Sequence, residues 1–271
     1  MRNMITMFAI TAIPAFADNY IWLMQRGRQA VIVDPGDARP ALKELQERGL
    51  EMSAILITHW HPDHSGGIKG LTQERQVPVY GSRAENAKTP GLTQLLDDGD
   101  RVTVLGDVEF SVLAIPGHTL GHIALHHAAS ASAPALVLCG DTLFSSGCGR
   151  LFEGTAAQMH VSLSRLAALP PETAVHCMHE YTLANLAFAR AVEPDNAAVA
   201  ARIEEVKNLR ERNLPSVPST IGAELSFNPF LRCTEPQVIS AAEQHAGKSL
   251  INQVDVFAAL RSWKDSFKSS P

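Results

Sequence analysis

Through its first two-thirds the chain alternates short apolar runs with amphipathic stretches. Apolar runs of strand length fall at Ile5 to Ile13, Tyr20 to Met24, Ala30 to Val33, Ser53 to Thr58, Val108 to Ile115, Ile123 to His127, Ala135 to Cys139 and Ala174 to Cys177; they predict β-strands. Helical periodicity at Ala38 to Arg48, His64 to Gln73 and Ala156 to Ala168 predicts helices between them, so the pattern is that of an α/β fold with helices layered on sheet. After Tyr181 the texture changes. Leu183 to Val192, Ala197 to Arg212, Pro236 to Gln244 and Val254 to Phe267 read as helices, and Pro215-Ser216-Val217-Pro218 breaks the pattern. The division expected near residue 180 makes 1–180 an α/β domain and 181–271 a helical one.

The densest chemistry follows the apolar run Ala54 to Ile57. Thr58-His59-Trp60-His61-Pro62-Asp63-His64 packs three imidazoles and a carboxylate into six residues, which predicts a metal site. In an extended stretch His59 and His61 point the same way and can share one ion. Pro62 keeps His61 extended, and Asp63 and His64 then turn to a different direction, which is compatible with two neighbouring ions. Ser65-Gly66-Gly67 supplies permissive backbone at the swing into a helix.

Three further loops carry ligand-type residues, each just past an apolar strand. They are Pro116-Gly117-His118-Thr119-Leu120-Gly121-His122, Gly140-Asp141-Thr142 and His179-Glu180. In layered α/β folds that strand edge is where ligands bind, so the four loops are expected to converge. Alone, a Gly-Asp pair reads as a turn and a lone histidine as a surface side chain; their joint placement carries the prediction.

Composition narrows the setting. With 271 residues and 45% hydrophobic side chains, the chain can bury one large core or split into a large and a small unit. A net charge of −5 argues against nucleic acid, and the whole acidic excess lies before residue 181. An anionic substrate therefore has to be held by locally placed cations. Cys139, Cys148, Cys177 and Cys233 form no close-spaced pair, which predicts reduced thiols and a cytoplasmic chain. Met4 to Ala17 is mostly apolar, follows Arg2 and ends in Ala15-Phe16-Ala17, the outline of a secretory leader. Its internal Thr6 and Thr11, and a following segment that reads as the next strand of the same sheet, favour a strand; the run is also too short to span a bilayer.

Taken together, Thr58-His-Trp-His-Pro-Asp-His-Ser-Gly-Gly, Pro116-Gly-His-Thr-Leu-Gly-His, Gly140-Asp-Thr-Leu-Phe and His179-Glu-Tyr-Thr resemble the metallo-β-lactamase superfamily. Within it, Ile13-Pro-Ala-Phe-Ala-Asp-Asn-Tyr20, Gly147-Cys-Gly-Arg-Leu-Phe-Glu-Gly-Thr155, Asn228-Pro-Phe-Leu-Arg232 and Arg261-Ser-Trp-Lys264 make the chain similar to the glyoxalase II, or hydroxyacylglutathione hydrolase, family. The resemblance implies a four-layer αβ/βα sandwich with a C-terminal helical domain. It also implies two metal ions and hydrolysis of S-D-lactoylglutathione to D-lactate and glutathione, the second step of methylglyoxal detoxification. Carried over by motif, His59, His61 and His118 hold the first ion, Asp63, His64 and His179 the second, and Asp141 bridges them. His122 supports a ligand from behind; Asp34 either does the same or starts the Pro35-Gly36 turn.

The expected nucleophile is a metal-bound hydroxide, with Asp63 and Asp141 as catalytic carboxylates, since a bound metal brings the pKa of water down to about 7. Two divalent ions with two carboxylates and a hydroxide leave roughly one positive charge for the oxyanion formed at a thioester carbonyl. By the same resemblance Arg150, Tyr181, Arg261 and Lys264 hold the glutathione part. Phe152 stands where some members have tyrosine, and Met178 where a glycine is frequent. Zinc is the expected metal, with iron or manganese acceptable to the same nitrogen and oxygen set. The expected protein is a monomer acting on a small glutathione thioester, with neither nucleic acid nor membrane as partner. Competing readings are a glutathione persulfide dioxygenase using one iron, another metallo-β-lactamase-type hydrolase, and a zinc-stabilised binding module. The last conflicts with a nitrogen- and oxygen-rich ligand set, because structural zinc sites are usually sulfur-rich.

Overall fold

The computed structural model describes residues 7–130 and 133–268. The chain divides into two compact units that interleave in sequence. One runs to Ala114 and takes in Gly121–Gly140; the other comprises Ile115–Leu120 and the chain from Asp141 onward.

The first unit holds a six-stranded sheet in the order β1 (Ala9–Ala15), β2 (Asn19–Arg26), β3 (Gln29–Val33), β4 (Glu51–Leu56), β5 (Val79–Ser82), β6 (Gln94–Leu96). The pairs from β1 to β3 are antiparallel and those from β3 to β6 parallel. Strand β3 is buried from Ala30 to Val33, which explains its unbroken apolar run. Helix α1 (Ala38–Glu47) starts where Asp37 caps the Arg39 amide at 2.9 Å, and it buries Ala41 and Leu45 with Ile21, Leu23, Ile32 and Ile55 in one core. A second, antiparallel set follows: β7 (Arg101–Val104), β8 (Val108–Ala114), β9 (Ile123–His127) and β10 (Leu136–Gly140) pair in sequence order.

Most predicted strands of this unit are present, with differences at particular places. Among the described residues the first runs from Ala9 to Ala15; Ile5 and Thr6, and with them the start of the Met4 to Ala17 run, lie outside the described residues. The single helix expected from His64 to Gln73 is two short ones, α2 (Pro62–Ser65) and α3 (Ile68–Thr72). They separate because the Gly67 amide leaves the helical ladder to donate to the Pro35 carbonyl, 2.7 Å away.

The second unit opens with a two-residue-per-strand hairpin, β11 (Leu143–Phe144) and β12 (Gly147–Cys148). Helix α4 (Ala156–Ala167) follows, started by a reciprocal Thr155–Gln158 capping box. Strand β13 (Ala174–Cys177) pairs antiparallel with β14 (Ser219–Thr220). The remainder is helical: α5 (Thr182–Val192), α6 (Ala197–Glu211), α7 (Ile221–Phe227), α8 (Pro236–Ala246) and α9 (Gln253–Ser266). Leu186, Ala189, Val199, Ile203, Val206 and Phe227 form a core among α5, α6 and α7. Among the described residues no helix is long and apolar enough to cross a membrane.

Candidate active site

In the first unit the ligand-type residues follow the parallel strands β3 and β4. Asp34 has a left-handed backbone (φ 48°) and is buried, and its carboxylate accepts from the Thr58 amide at 2.7 Å and the Thr58 hydroxyl at 2.5 Å. The Thr58 hydroxyl gives its only proton to Asp34, so it accepts from His59 Nδ1, 3.2 Å away. This fixes the His59 tautomer and leaves Nε2 as a lone pair, 3.0 Å from His61 Nδ1. Asp34 also takes the proton of His64 Nδ1 at 3.0 Å, which turns the His64 Nε2 lone pair toward Asp63 Oδ2 at 3.6 Å. Asp63 is steadied by the Asn19 side-chain amide at 3.1 Å. His122 is fully buried and stacks on His59 with ring centroids 4.5 Å apart. Asp34, the residue with two readings in the sequence, is thus a shared support for His59 and His64.

In the second unit, His118 donates from Nδ1 to the Arg150 carbonyl at 2.9 Å and holds Nε2 3.6 Å from Asp141 Oδ2. His179 Nε2 lies 3.4 Å from the same oxygen and its ring stacks on Tyr181 at 4.7 Å. Two ligands about 2.1 Å from one ion in tetrahedral geometry are roughly 3.4 Å apart. The separations in both units, 3.0 to 3.6 Å, match that edge. The residues therefore fit divalent metal: His59, His64 and His118 are held as lone-pair donors by hydrogen bonds to their other nitrogens, with His61, His179 and the carboxylates beside them.

His118 and Asp141 also line a cavity of about 440 Å³ in the second unit, with Phe144, Cys148, Arg150, Phe152, Tyr181, Ala184, Asn185, Arg261 and Lys264. The four residues expected to hold glutathione are thus all on its wall, in different states. Arg150 is exposed, its Nε 3.8 Å from Asp265. Lys264 donates to the Ala184 carbonyl at 2.8 Å and lies over the Phe188 ring, and burial pushes its amine down to about 8. Arg261 is buried and already engaged. It donates to the Cys148 carbonyl at 2.8 Å and to Asp265 at 2.9 Å, and its guanidinium covers Phe230. Phe152 meets His118 edge-on at 5.2 Å. Burial raises the Cys148 thiol to about 11, so it is no nucleophile at neutral pH. Sequence reasoning missed Phe144, Ala184 and Asn185, since nothing in a lone Phe, Ala or Asn signals a cavity wall. Glu180, next to His179, accepts from the Ser216 amide at 2.8 Å and from its hydroxyl, which ties the segment after β13 to the Pro215–Pro218 stretch.

Fold and donor chemistry define a class, the metal-dependent hydrolases of the metallo-β-lactamase superfamily, and the model of that superfamily matches residues 16–179. The model described as hydroxyacylglutathione hydrolase C-terminus matches residues 180–267. The chain is 53% identical over 264 residues to the hydroxyacylglutathione hydrolase of Pseudomonas aeruginosa PAO1, covering 96% of this chain and all of that protein. To the enzyme of the same name from Nitrosomonas europaea it is 47% identical, over 97% of this chain and 98% of that one. The chain belongs to the hydroxyacylglutathione hydrolase family. Among solved structures it is similar to TTHA1623 in a di-iron-bound form (TM-score 0.57, 28% identity, 82% of this chain and all of that one). BLEG-1, a B3 metallo-β-lactamase, shares the fold (TM-score 0.61, 24% identity, 82% of this chain and 99% of that one). The α/β fold with two sheets and a C-terminal helical region expected from the sequence is the fold observed. On this fold the His and Asp clusters support a binuclear metal site.

Proposed function

We propose that this chain hydrolyses S-D-lactoylglutathione to D-lactate and glutathione at a centre of two zinc ions. In this reading His59, His61 and His118 would hold one ion and Asp63, His64 and His179 the other, with Asp141 available as a ligand to both. Residues 1–180 supply the metal centre and residues 181–271 most of the substrate contacts. The observation that carries the reading is the second unit's cavity, whose wall joins His118 and Asp141 to the cations Arg150 and Lys264. A thioester with an anionic peptide needs both.

When bound, the metal ions supply Lewis acidity toward the thioester carbonyl and a water ionised at about pH 7. The protein's residues do the rest. Asp34, directly and through Thr58, and the Arg150 carbonyl fix which nitrogen His64, His59 and His118 offer, so this part of the ligand field is set before substrate arrives. Arg150 and Lys264 take the glutathione carboxylates, and Tyr181, stacked on His179, forms the wall between peptide and acyl group. Arg261 holds the cavity wall through Cys148. The leaving thiolate, with an ordinary pKa of about 8.5, departs without a general acid. The mixed nitrogen and oxygen set also accepts iron or manganese. The proposed setting is the cytoplasm, as a monomer with a small-molecule substrate and neither nucleic acid nor membrane as partner; four buried free thiols and a net charge of −5 support it.

The test is elemental analysis of the purified protein paired with thioester hydrolysis of lactoylglutathione. Two divalent ions per chain and turnover are expected. Oxygen uptake with glutathione persulfide on a single iron, without thioester hydrolysis, would replace the reading.

A further inference from the structure

The segment from Asp141 to Arg150 joins two features of the metal site. It begins with the carboxylate beside His118 and His179, and it ends with the carbonyl that orients His118. Between them lies the β11–β12 hairpin, whose strands are two residues each and too short to hold themselves. Its turn contains Ser146 in the left-handed region (φ 59°), a conformation a serine keeps only when its surroundings impose it.

What imposes it comes from helix α7 and the residue after it. The Ser146 amide donates to Glu224 Oε2 at 2.8 Å. Asn228 spreads its side-chain amide over the Phe144 carbonyl (3.2 Å), the Gly147 carbonyl (3.0 Å) and Glu224 Oε2 (3.0 Å). Ser219 completes the carboxylate by donating to Oε1 at 2.5 Å. Glu224 and Asn228 are both fully buried. The hairpin transmits its position at close range: the Gly149 amide donates to the Thr142 carbonyl at 3.2 Å, and a β-carbon on Gly149 would lie 1.9 Å from the Asp141 carbonyl oxygen. No slack is left between turn and ligand.

We propose that Glu224 and Asn228, far in sequence from every metal-ligand motif, are positioning residues that clamp the β11–β12 turn and thereby set the carboxylate of Asp141 and the tautomer of His118. The inference rests on the assignment of those two residues as metal ligands. It gives α7 a part in metal binding that is separate from substrate contact.

The test uses the full chain and three variants, Glu224→Ala, Asn228→Ala and Glu224→Gln. Zinc affinity is measured by competition with a chromophoric chelator, kcat and KM with lactoylglutathione, and unfolding by heat. The alanine variants are expected to weaken zinc by about ten-fold or more and to lower kcat by a similar factor, with KM moving less than about three-fold. Glu224→Gln keeps an oxygen for the Ser146 amide and turns its NH₂ to the Ser219 hydroxyl, so it should stay within about three-fold of wild type in both. Folded alanine variants with unchanged zinc affinity and kcat, differing only in melting temperature, would overturn the proposal. If the alanine variants do not fold, Ser219→Ala, which removes one donor from Glu224, should still weaken zinc measurably, and an unchanged affinity there counts against the clamp. A wild-type protein that binds no zinc removes the ligand assignment and this inference with it, whereas a zinc-binding, active wild type matched by its variants removes the clamp alone.

Discussion

At the scale of single residues, one hydroxyl decides how His59 faces a metal. Thr58 passes the charge of Asp34 to His59 Nδ1 and so keeps the Nε2 lone pair outward. Thr58→Val keeps the shape and removes the relay, and zinc affinity should fall by about ten-fold or more in a chelator competition. Unchanged affinity would mean that the tautomer is set elsewhere. Lys264 gives the second prediction. Its amine sits at about 8 because burial, and next the charge of Arg261, disfavour the cation. The sign follows directly: below that pH the ammonium is present and attracts a carboxylate, above it the charge is lost. KM for lactoylglutathione should be flat from pH 6 to 7 and rise as pH passes about 8. Lys264→Arg, whose guanidinium keeps its proton, should remove the rise. A wild-type KM that stays level to pH 9 would take Lys264 out of the binding site.

At the scale of elements, the fit between two turns matters more than the propensity of either. The Pro35-Gly36 turn after β3 packs on the start of α2, where Asp63 sits. A β-carbon at Gly36 would lie 2.0 Å from the Asp63 carbonyl oxygen, and the three nearest atoms are all Asp63 backbone. Gly36→Ala therefore has to push the turn away from the metal-ligand loop. The cost should be about 2–4 kcal/mol, seen as a lower melting temperature, with fewer than two metal ions per chain by elemental analysis. A variant with wild-type melting and full metal content would show that the contact yields. A second contact of the same turn explains why α2 and α3 are two helices, since the Gly67 amide is committed to the Pro35 carbonyl.

At the scale of the whole molecule, acid stability has a contributor apart from the metal ligands. His176 on β13 is buried, and desolvation pushes it down to about 4 from an ordinary 6.5. A histidine lowered in the folded state favours folding above its unfolded pKa, and that stability is lost as pH falls through the folded value, because the unfolded chain binds the proton first. The loss between pH 6.5 and 4 is about 3 kcal/mol. In urea melts of chelator-treated protein, His176→Phe should lose less stability than wild type over this interval. Parallel acid limbs would assign the sensitivity to other groups.

Much of this was readable along the chain. Ala30 to Val33 and Ala54 to Ile57 announce buried strands because parallel strands covered on both faces need unbroken apolar runs. The residues after them announce metal because few other uses explain three imidazoles and a carboxylate in six positions. The stretches that became α1, α4, α5, α6, α8 and α9 read as helices along the chain. What the chain could not show is whatever depends on partners distant in sequence. The strands β5, β6, β11, β12 and β14 are short and carry no local alternation, and β7 alternates over only four residues; their hydrogen-bond partners make them strands. The packing of Ile115–Leu120 with the chain from Asp141 onward, like the division of α2 from α3, came from contacts that no local window contains. Arg261 and Lys264, three apart on α9, read as a pair of equivalent cations. Folding makes one a buried tie to Cys148, 113 residues away, and leaves the other a desolvated amine on the cavity wall. A sequence determines which groups exist and how locally they repeat; burial, tautomer and charge state are set by what tertiary structure places around each group.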